Sequence, residues 1–263
     1  MTAPVGISLN SPKWELRKLP AVIWWDLWGT IARSDNREPI LHLQKILKFH
    51  TESIDVKDVR SVDPDFLRVC LTTNVPHPVR HGEQDPVGFI RSVARPFGLT
   101  VEPEMVPLFN EVTHKESQCA LMFFDTRKVL KELKARGLRN GLISNLWGFP
   151  VKTLFEEESL GKFIPPELRV YSFEEGYAKP DVELFRRACL RAGVAPEDCL
   201  MIGDHLENDI LPAIALGMRT VLIDREHVYR PDQVPEETLH IDKMETLLDY
   251  LPSSPTLFNS GTA

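Results

Sequence analysis

Several features that define whole classes of protein are missing from this sequence. Its four cysteines, Cys70, Cys119, Cys189 and Cys199, show no CxxC or CxxH spacing, which fits unpaired thiols in a reducing compartment. No apolar run approaches membrane-spanning length, and the first twenty residues contain no secretory apolar segment. The formal net charge is -7, so a nucleic-acid backbone is not expected as a partner. We therefore expect a cytoplasmic enzyme or binding protein, with neither a membrane nor a nucleic acid as its partner.

One short stretch near the beginning of the chain organises the interpretation. Residues 22–25 are four large apolar residues in a row, a pattern typical of a parallel-sheet strand that is buried on both faces. Asp26 follows at once, and Gly29 and Thr30 then turn the chain. An aspartate at the carboxyl end of such a strand lies at the edge of the sheet where open α/β folds bind ligands.

Strands and helices alternate again from residue 125 onward. The predicted strands are 138–144, 169–173, 199–203 and 219–223, and the predicted helices are 126–136, 151–158, 180–192, 207–216 and 243–250. Short connections and right-handed crossovers place these strands in one parallel sheet with the first. The predicted fold class is therefore α/β, a doubly wound, Rossmann-like parallel sheet.

The block between residues 34 and 124 has a different character. It contains no strand-like run, and helical periodicity recurs in it on both sides of a proline-rich loop at 72–85 that carries His77, Arg80 and His81. We predict an all-helical cap domain inserted after the first strand. The predicted domains are an N-terminal extension (1–19), the α/β core (20–33 and 125–251), the cap (34–124) and a C-terminal tail (252–263).

Four motifs follow one another in the order Asp-x-x-Gly-Thr, Ser-Asn, Lys-Pro and Gly-Asp-x-x-x-Asn-Asp. They occupy residues 26–30, 144–145, 179–180 and 203–209. In this order the motifs resemble those of the haloacid dehalogenase superfamily of hydrolases. The resemblance extends from residue 22 to about residue 223 and includes the helical cap. It implies a hydrolytic site at the edge of the sheet, with the cap above it.

The resemblance implies catalytic roles for two residues and substrate binding for two more. Asp26 would be a nucleophile that attacks phosphorus and forms an aspartyl-phosphate. Lys179 would neutralise negative charge and hold Asp26 in position. Ser144 and Asn145 would bind the phosphate of a small phosphorylated substrate through hydroxyl and main-chain N–H groups.

The resemblance also implies Mg²⁺ as the cofactor, because carboxylates are hard oxygen ligands. Asp26, Asp204 and the main-chain carbonyl of Trp28 would bind the ion directly, and Asp209 would act nearby through water. The hydroxyl of Thr30 would contact either its own turn or one of these carboxylates.

Trp28 departs from the family pattern. The phosphatases of the family carry a second aspartate at this position, two residues after the nucleophile, as the general acid and base. An indole can donate a hydrogen bond but cannot transfer a proton in this chemistry, and losing such a group typically removes about 10² to 10⁴ in rate. Either the leaving group needs no proton, or a cap residue supplies it, with His77, His81 and His114 as candidates.

Three functions fit these observations. The first is a Mg²⁺-dependent phosphatase of a small phosphorylated metabolite, acting as a monomer or homodimer. The second is a 2-haloacid dehalogenase, because those enzymes carry tyrosine where Trp28 stands; however, they use no metal and lack the acidic 203–209 segment. The third is a binding or regulatory protein with weak turnover, in which Trp28 and Trp147 stack on a ligand while Trp24 and Trp25 belong to the core.

Overall fold

The computed structural model describes residues 18–34, 107, 120–146, 152–155 and 159–252. The strands within these ranges are β1 (Val22–Trp25), β2 (Ala32–Ser34), β3 (Ala120–Met122), β4 (Asn140–Ser144), β5 (Arg169–Tyr171), β6 (Cys199–Gly203), β7 (Arg219–Ile223) and β8 (Thr238–Ile241). The helices are α1 (Phe124–Ala135), α2 (Lys152–Phe155), α3 (Ser172–Glu175), α4 (Val182–Ala192), α5 (Leu211–Ala215) and α6 (Leu247–Tyr250).

Six of these strands form one parallel sheet in the order β5-β4-β1-β6-β7-β8. The chain runs outward from β1 to β5, returns to β6 beside β1, and then runs outward to β8. This is the doubly wound order, and its direction reverses between β1 and β6. The predicted fold class is confirmed, and Asp26 and Asp204 follow the two strands at the reversal.

Helices cover both faces of the sheet. Ile23 and Trp25 point to the face that is covered by α1 and α6. Val22 and Trp24 point to the opposite face, which is covered by α4 and α5. Since all four of these side chains are fully buried, β1 lies in the core as its uninterrupted apolar sequence predicts.

Several predictions about strands are wrong, because β2 was not expected and β5 ends at Tyr171 although the predicted strand runs to residue 173. Residues 120–122 form β3, although no strand was expected between residues 34 and 124, and β3 pairs antiparallel with β2 so that Ser34 lies opposite Ala120. The sixth strand of the sheet, β8, was also not predicted. The chain therefore leaves the core at β2 and returns at β3 along a single two-stranded ribbon.

Other predictions fall outside the described residues. They include the helices predicted within 35–119, the candidate proton donors His77, His81 and His114, and Arg80, Trp147, Cys70 and Cys119. Cys189 and Cys199 are described, and both are buried free thiols, as the spacing predicts. Over the described ranges, no helix combines the length and apolarity that crossing a membrane requires.

Candidate active site

Three carboxylates and one lysine meet at the carboxyl edge of the sheet. Asp26 follows β1, Asp204 follows β6, and Asp209 lies in a single π-helical turn, Leu206–Ile210. Carboxylate oxygens of the three aspartates lie within 4.8 Å of one another. Lys179, from the loop between α3 and α4, donates from Nζ to Asp26 Oδ1 and, at 2.5 Å, to Asp209 Oδ1. The structure thus brings these four predicted site residues together.

The cluster is largely withdrawn from water. Asp26 is 7% exposed, Lys179 4% and Asp209 1%. Burial, together with the charge of Asp209, raises the pKa of Asp26 to about 6 against the opposing effect of Lys179. Burial and the charges of Asp26 and Asp209 raise the pKa of Asp204 well above its usual range.

Lys179 remains charged in this setting. Burial alone lowers the pKa of its ammonium group, but the neighbouring carboxylates of Asp209 and Asp26 outweigh burial and raise that pKa above its ordinary value. One ammonium group therefore faces three carboxylates, and the cluster carries excess negative charge when all of them are ionised.

The turn after β1 packs directly on Asp204. Gly29 has φ +79°, and a Cβ atom at this position would lie 2.1 Å from Asp204 Oδ2. Thr30 Oγ1 donates to Asp204 Oδ1 at 3.1 Å, so the expected hydroxyl contact is made to this carboxylate. Trp28, in the same turn, is half-buried and packs against the core. The role of its carbonyl as a metal ligand stays a prediction.

The π-helical turn returns Asp209 to the site. The main-chain N–H of His205 donates to Asp209 Oδ2 at 3.1 Å, so this carboxylate is held between His205 and Lys179. A Cβ atom at Gly203 would lie 2.3 Å from Asp209 Cβ. A glycine at position 203 therefore leaves the space that Asp209 fills. Asp209 was predicted from the sequence, whereas the main-chain N–H of His205 that orients it was not.

Ser144 is the last residue of β4, and Asn145 follows it directly. Asn145 Nδ2 donates to the carbonyl of Lys179 at 2.9 Å, and Asn145 Oδ1 accepts from the N–H of Lys179 at 2.8 Å. Asn145 thus holds the main chain of the site lysine. Ser144 Oγ is buried and has no hydrogen-bond partner among the described residues. Phosphate binding by both residues stays a prediction.

Arg225 was not predicted from the sequence to border the site. It lies two residues beyond β7, at the same edge of the sheet as Asp26 and Asp204. The sequence feature that could have identified Arg225 is its position as a charged residue just after a buried strand.

The donor set fits Mg²⁺. The three carboxylates offer hard oxygen ligands close together, and nitrogen or sulfur ligands are not part of the group. Since the excess charge of the cluster is negative, a divalent cation would offset it. Asp26, Asp204 and Asp209 are accordingly the residues that could hold the ion.

The chain is similar in sequence to a family of hydrolases and to proteins named as phosphatases. A family model described as HAD-hydrolase-like matches residues 176–249. A glyceraldehyde 3-phosphate phosphatase of Methanopyrus kandleri is 31% identical over 163 residues, which are 60% of this chain and 68% of that protein. A phosphoserine phosphatase of Thermus thermophilus is 34% identical over 125 residues, or 47% of this chain and 49% of that protein. The chain spans about half the length of several such curated relatives.

Solved structures also resemble this chain in fold. A HAD phosphatase from Thermococcus onnurineus gives a TM-score of 0.60 at 17% identity, covering 88% of this chain and 99% of that one. A 2-haloacid dehalogenase from Pseudomonas syringae pv. Tomato gives a TM-score of 0.59 at 18% identity, covering 88% of this chain and 98% of that one. At these identities the similarity concerns the fold, which hosts both reactions.

Proposed function

The chain belongs to the haloacid dehalogenase-like hydrolase family, and on that premise we propose that it is a Mg²⁺-dependent phosphatase of a small phosphorylated metabolite. The observation that carries the proposal is the buried contact of Lys179 with Asp26 and Asp209, beside the third carboxylate of Asp204. The relatives that are named as phosphatases support the same class of substrate.

Asp26 is the proposed nucleophile. Lys179 donates to one of its oxygens and so restrains the rotation of the carboxylate. With a pKa of about 6, the carboxylate of Asp26 is mostly ionised at neutral pH. Its attack forms an oxygen–phosphorus bond and breaks the bond from phosphorus to the leaving oxygen. Water then hydrolyses the aspartyl-phosphate, which releases phosphate and regenerates the carboxylate.

An anionic substrate needs positive charge in this cluster. Asp26, Asp204 and the carbonyl of Trp28 are the proposed ligands of Mg²⁺, with Asp209 nearby. When bound, the ion supplies positive charge to the carboxylates and to the phosphoryl oxygens. Lys179 supplies a further positive charge and keeps Asp26 and Asp209 in place.

Trp28 restricts the proposed substrate. Because an indole cannot give a proton to the leaving oxygen, the reaction favours a leaving group that is already a weak base, as in an acyl or aryl phosphate. The alternative source of the proton is a histidine of the proposed cap, His77, His81 or His114. We propose that this cap, residues 34–124, excludes water and selects the substrate.

One observation favours a second candidate, a 2-haloacid dehalogenase. A halide leaves without a proton, so Trp28 would be no handicap in that reaction. Against it stand Asp204 and Asp209, which place extra negative charge beside an anionic haloacid. We therefore rank carbon–halogen hydrolysis second.

Phosphate release from a panel of phosphorylated metabolites tests the proposal. The wild-type protein, Asp26→Asn and Trp28→Asp are compared with Mg²⁺ and with EDTA. We expect release that requires Mg²⁺, is lost in Asp26→Asn and rises more than tenfold in Trp28→Asp, since a well-placed general acid contributes about 10² to 10⁴.

The other outcomes point to different functions. Release that is unaffected by EDTA or by Asp26→Asn rejects the proposal. Halide release from 2-haloacids without added metal supports the dehalogenase. Calorimetric binding of a ligand that neither the wild-type protein nor Trp28→Asp turns over supports a binding or regulatory protein.

A further inference from the structure

Arg225 joins two elements that border the site. Its Nη1 donates to Asp125 Oδ2 at 2.7 Å, and its Nη2 donates to Thr126 Oγ1 at 2.9 Å. Both acceptors lie in the first turn of α1. The guanidinium group also stacks on the ring of Phe123, with Cζ 4.0 Å from the ring centroid. Phe123 is the single residue between β3 and α1, so Arg225 fixes the point where the ribbon rejoins the core.

The same guanidinium group also contacts the turn that follows β1. Arg225 Nη2 lies 3.4 Å from the carbonyl oxygen of Thr30, and Thr126 Oγ1 donates to that oxygen at 3.2 Å. The hydroxyl of Thr30 in turn donates to Asp204 Oδ1. A continuous chain of contacts therefore runs from Arg225 through Thr30 to Asp204.

A simple ion pair does not account for this arrangement. The carboxylate of Asp125 already accepts from the N–H groups of Thr126, at 2.7 Å, and Met244, at 3.0 Å. What a guanidinium adds is a planar fork whose second nitrogen reaches Thr126 and the Thr30 carbonyl. A lysine at position 225 would keep the charge but lacks that fork.

We propose that Arg225 is a positioning residue for Asp204, acting through Thr30, and that it thereby sets the affinity of the site for Mg²⁺. The inference deepens the proposed function and rests on it for the identity of the ion. Arg225 itself touches none of the three carboxylates in the described contacts, so its effect passes through the turn after β1.

Calorimetric titration of Mg²⁺ alone into metal-free protein provides the test. Arg225→Lys keeps the charge and is expected to weaken Mg²⁺ binding about 10- to 100-fold, as is usual when a residue behind a metal ligand is changed. Arg169→Lys is the matched control. Arg169 also stacks on a phenylalanine, Phe155, at 3.9 Å, and donates twice to the carbonyl of Ile164. It begins β5, so it lies at the amino edge of the sheet, opposite the edge that carries the cluster.

Thr30→Val supplies a second variant and closes a double-mutant cycle. It removes the hydroxyl that bonds Asp204 and is expected to weaken Mg²⁺ binding to a similar extent. If Arg225 acts through Thr30, the double variant Arg225→Lys/Thr30→Val binds Mg²⁺ no more weakly than the worse single variant. Unfolding curves for each variant separate a local effect on binding from a loss of folded protein.

The outcomes separate this inference from the proposed function. Wild-type affinity in Arg225→Lys, fully additive losses in the cycle, or an equal loss in Arg169→Lys each overturns the positioning role while phosphate release by the wild-type protein stands. Absence of Mg²⁺ binding by the wild-type protein overturns both. Mg²⁺ binding that weakens as expected, in a protein that releases no phosphate from any substrate, overturns only the phosphatase.

Discussion

Lys179 is held at both its side chain and its main chain. Its ammonium group bonds Asp26 and Asp209, and its peptide groups bond the side-chain amide of Asn145. Because the position of Nζ depends on the backbone that carries it, the amide of Asn145 indirectly positions Asp26, the proposed nucleophile. The family resemblance suggests instead that Asn145 binds the substrate phosphate, and kinetics distinguish the two roles.

Asn145→Ala is expected to lower kcat about 10- to 100-fold with little change in KM, since it loosens Lys179 without touching the substrate. Steady-state kinetics on the best substrate of the panel measure both constants. Ser172→Ala is the matched control, because the Ser172 hydroxyl bonds both the N–H and the carbonyl of Leu146 at 3.1 Å. A raised KM with unchanged kcat in Asn145→Ala would show instead that Asn145 binds phosphate.

At the scale of elements, the turn after β1 requires a residue without a side chain at position 29. Gly29 adopts a positive φ, which favours glycine, and it also gives Asp204 the space it occupies. Gly137, at the end of α1, has a similar φ of +76° but has no atom within 4 Å of an added Cβ. Alanine variants of Gly29 and Gly137 therefore separate the energetic cost of backbone strain from the cost of displacing Asp204.

Gly137→Ala should lower the free energy of unfolding by about 1–2 kcal/mol, the cost of a left-handed residue that carries a Cβ. Gly29→Ala should lower it further, because its methyl group also displaces Asp204. Gly29→Ala should also weaken Mg²⁺ binding about 10- to 100-fold, because its methyl group collides with Asp204. Urea unfolding and calorimetric Mg²⁺ titration measure the two effects. Equal Mg²⁺ affinity in the two variants would mean that the close approach to Asp204 is unimportant.

The strands that contain a run of apolar residues were predictable. β6 and β7 have the predicted bounds, and β4 begins at Asn140, two residues later than predicted. Their side chains are almost all buried, so sequence and environment agree. Because these strands were predicted correctly, the motifs that follow them could be placed at the carboxyl edge of the sheet, where the candidate site lies.

The missed strands depend on pairing that no local pattern reveals. β8 contains the polar residues Thr238 and His240, yet it is wholly buried. Burial of these residues is tolerated because Thr238 bonds Thr220 at 2.7 Å and His240 bonds Asp224 at 3.1 Å. β3 has only three residues, too few for an alternation to be recognised, and it exists because β2 lies beside it. In the site, the contact of Asn145 with the main chain of Lys179 likewise joins segments that are 34 residues apart.

At the scale of the whole molecule, folding brings three carboxylates together with one ammonium group, and this has a consequence for stability. The pKa of Asp26 is raised from 3.8 to about 6, so between those pH values the folded protein holds a proton that the unfolded chain has lost. The associated stability is fully present below about pH 4 and is lost as the pH rises through about 6. The raised pKa of Asp204 acts in the same direction.

We therefore expect metal-free wild-type protein to lose up to about 3 kcal/mol of unfolding free energy relative to Asp26→Asn between pH 4 and pH 7. Urea unfolding of both proteins in EDTA measures the difference. Mg²⁺ should stabilise the wild-type protein more at pH 7.5 than at pH 5, because the ion competes with protons for the carboxylates. A difference between wild type and Asp26→Asn that does not vary with pH would contradict the raised pKa.

The ribbon of β2 and β3 gives the molecule a further property. Ser34 and Ala120 are ladder partners, so the stretch between them starts and finishes only one inter-strand spacing apart, about 5 Å. We therefore expect an insert with equally close termini to fit there without moving Asp26. Under the proposed function, selectivity and chemistry can then diverge separately, and this junction is where a different substrate-selecting domain would be grafted onto the proposed site.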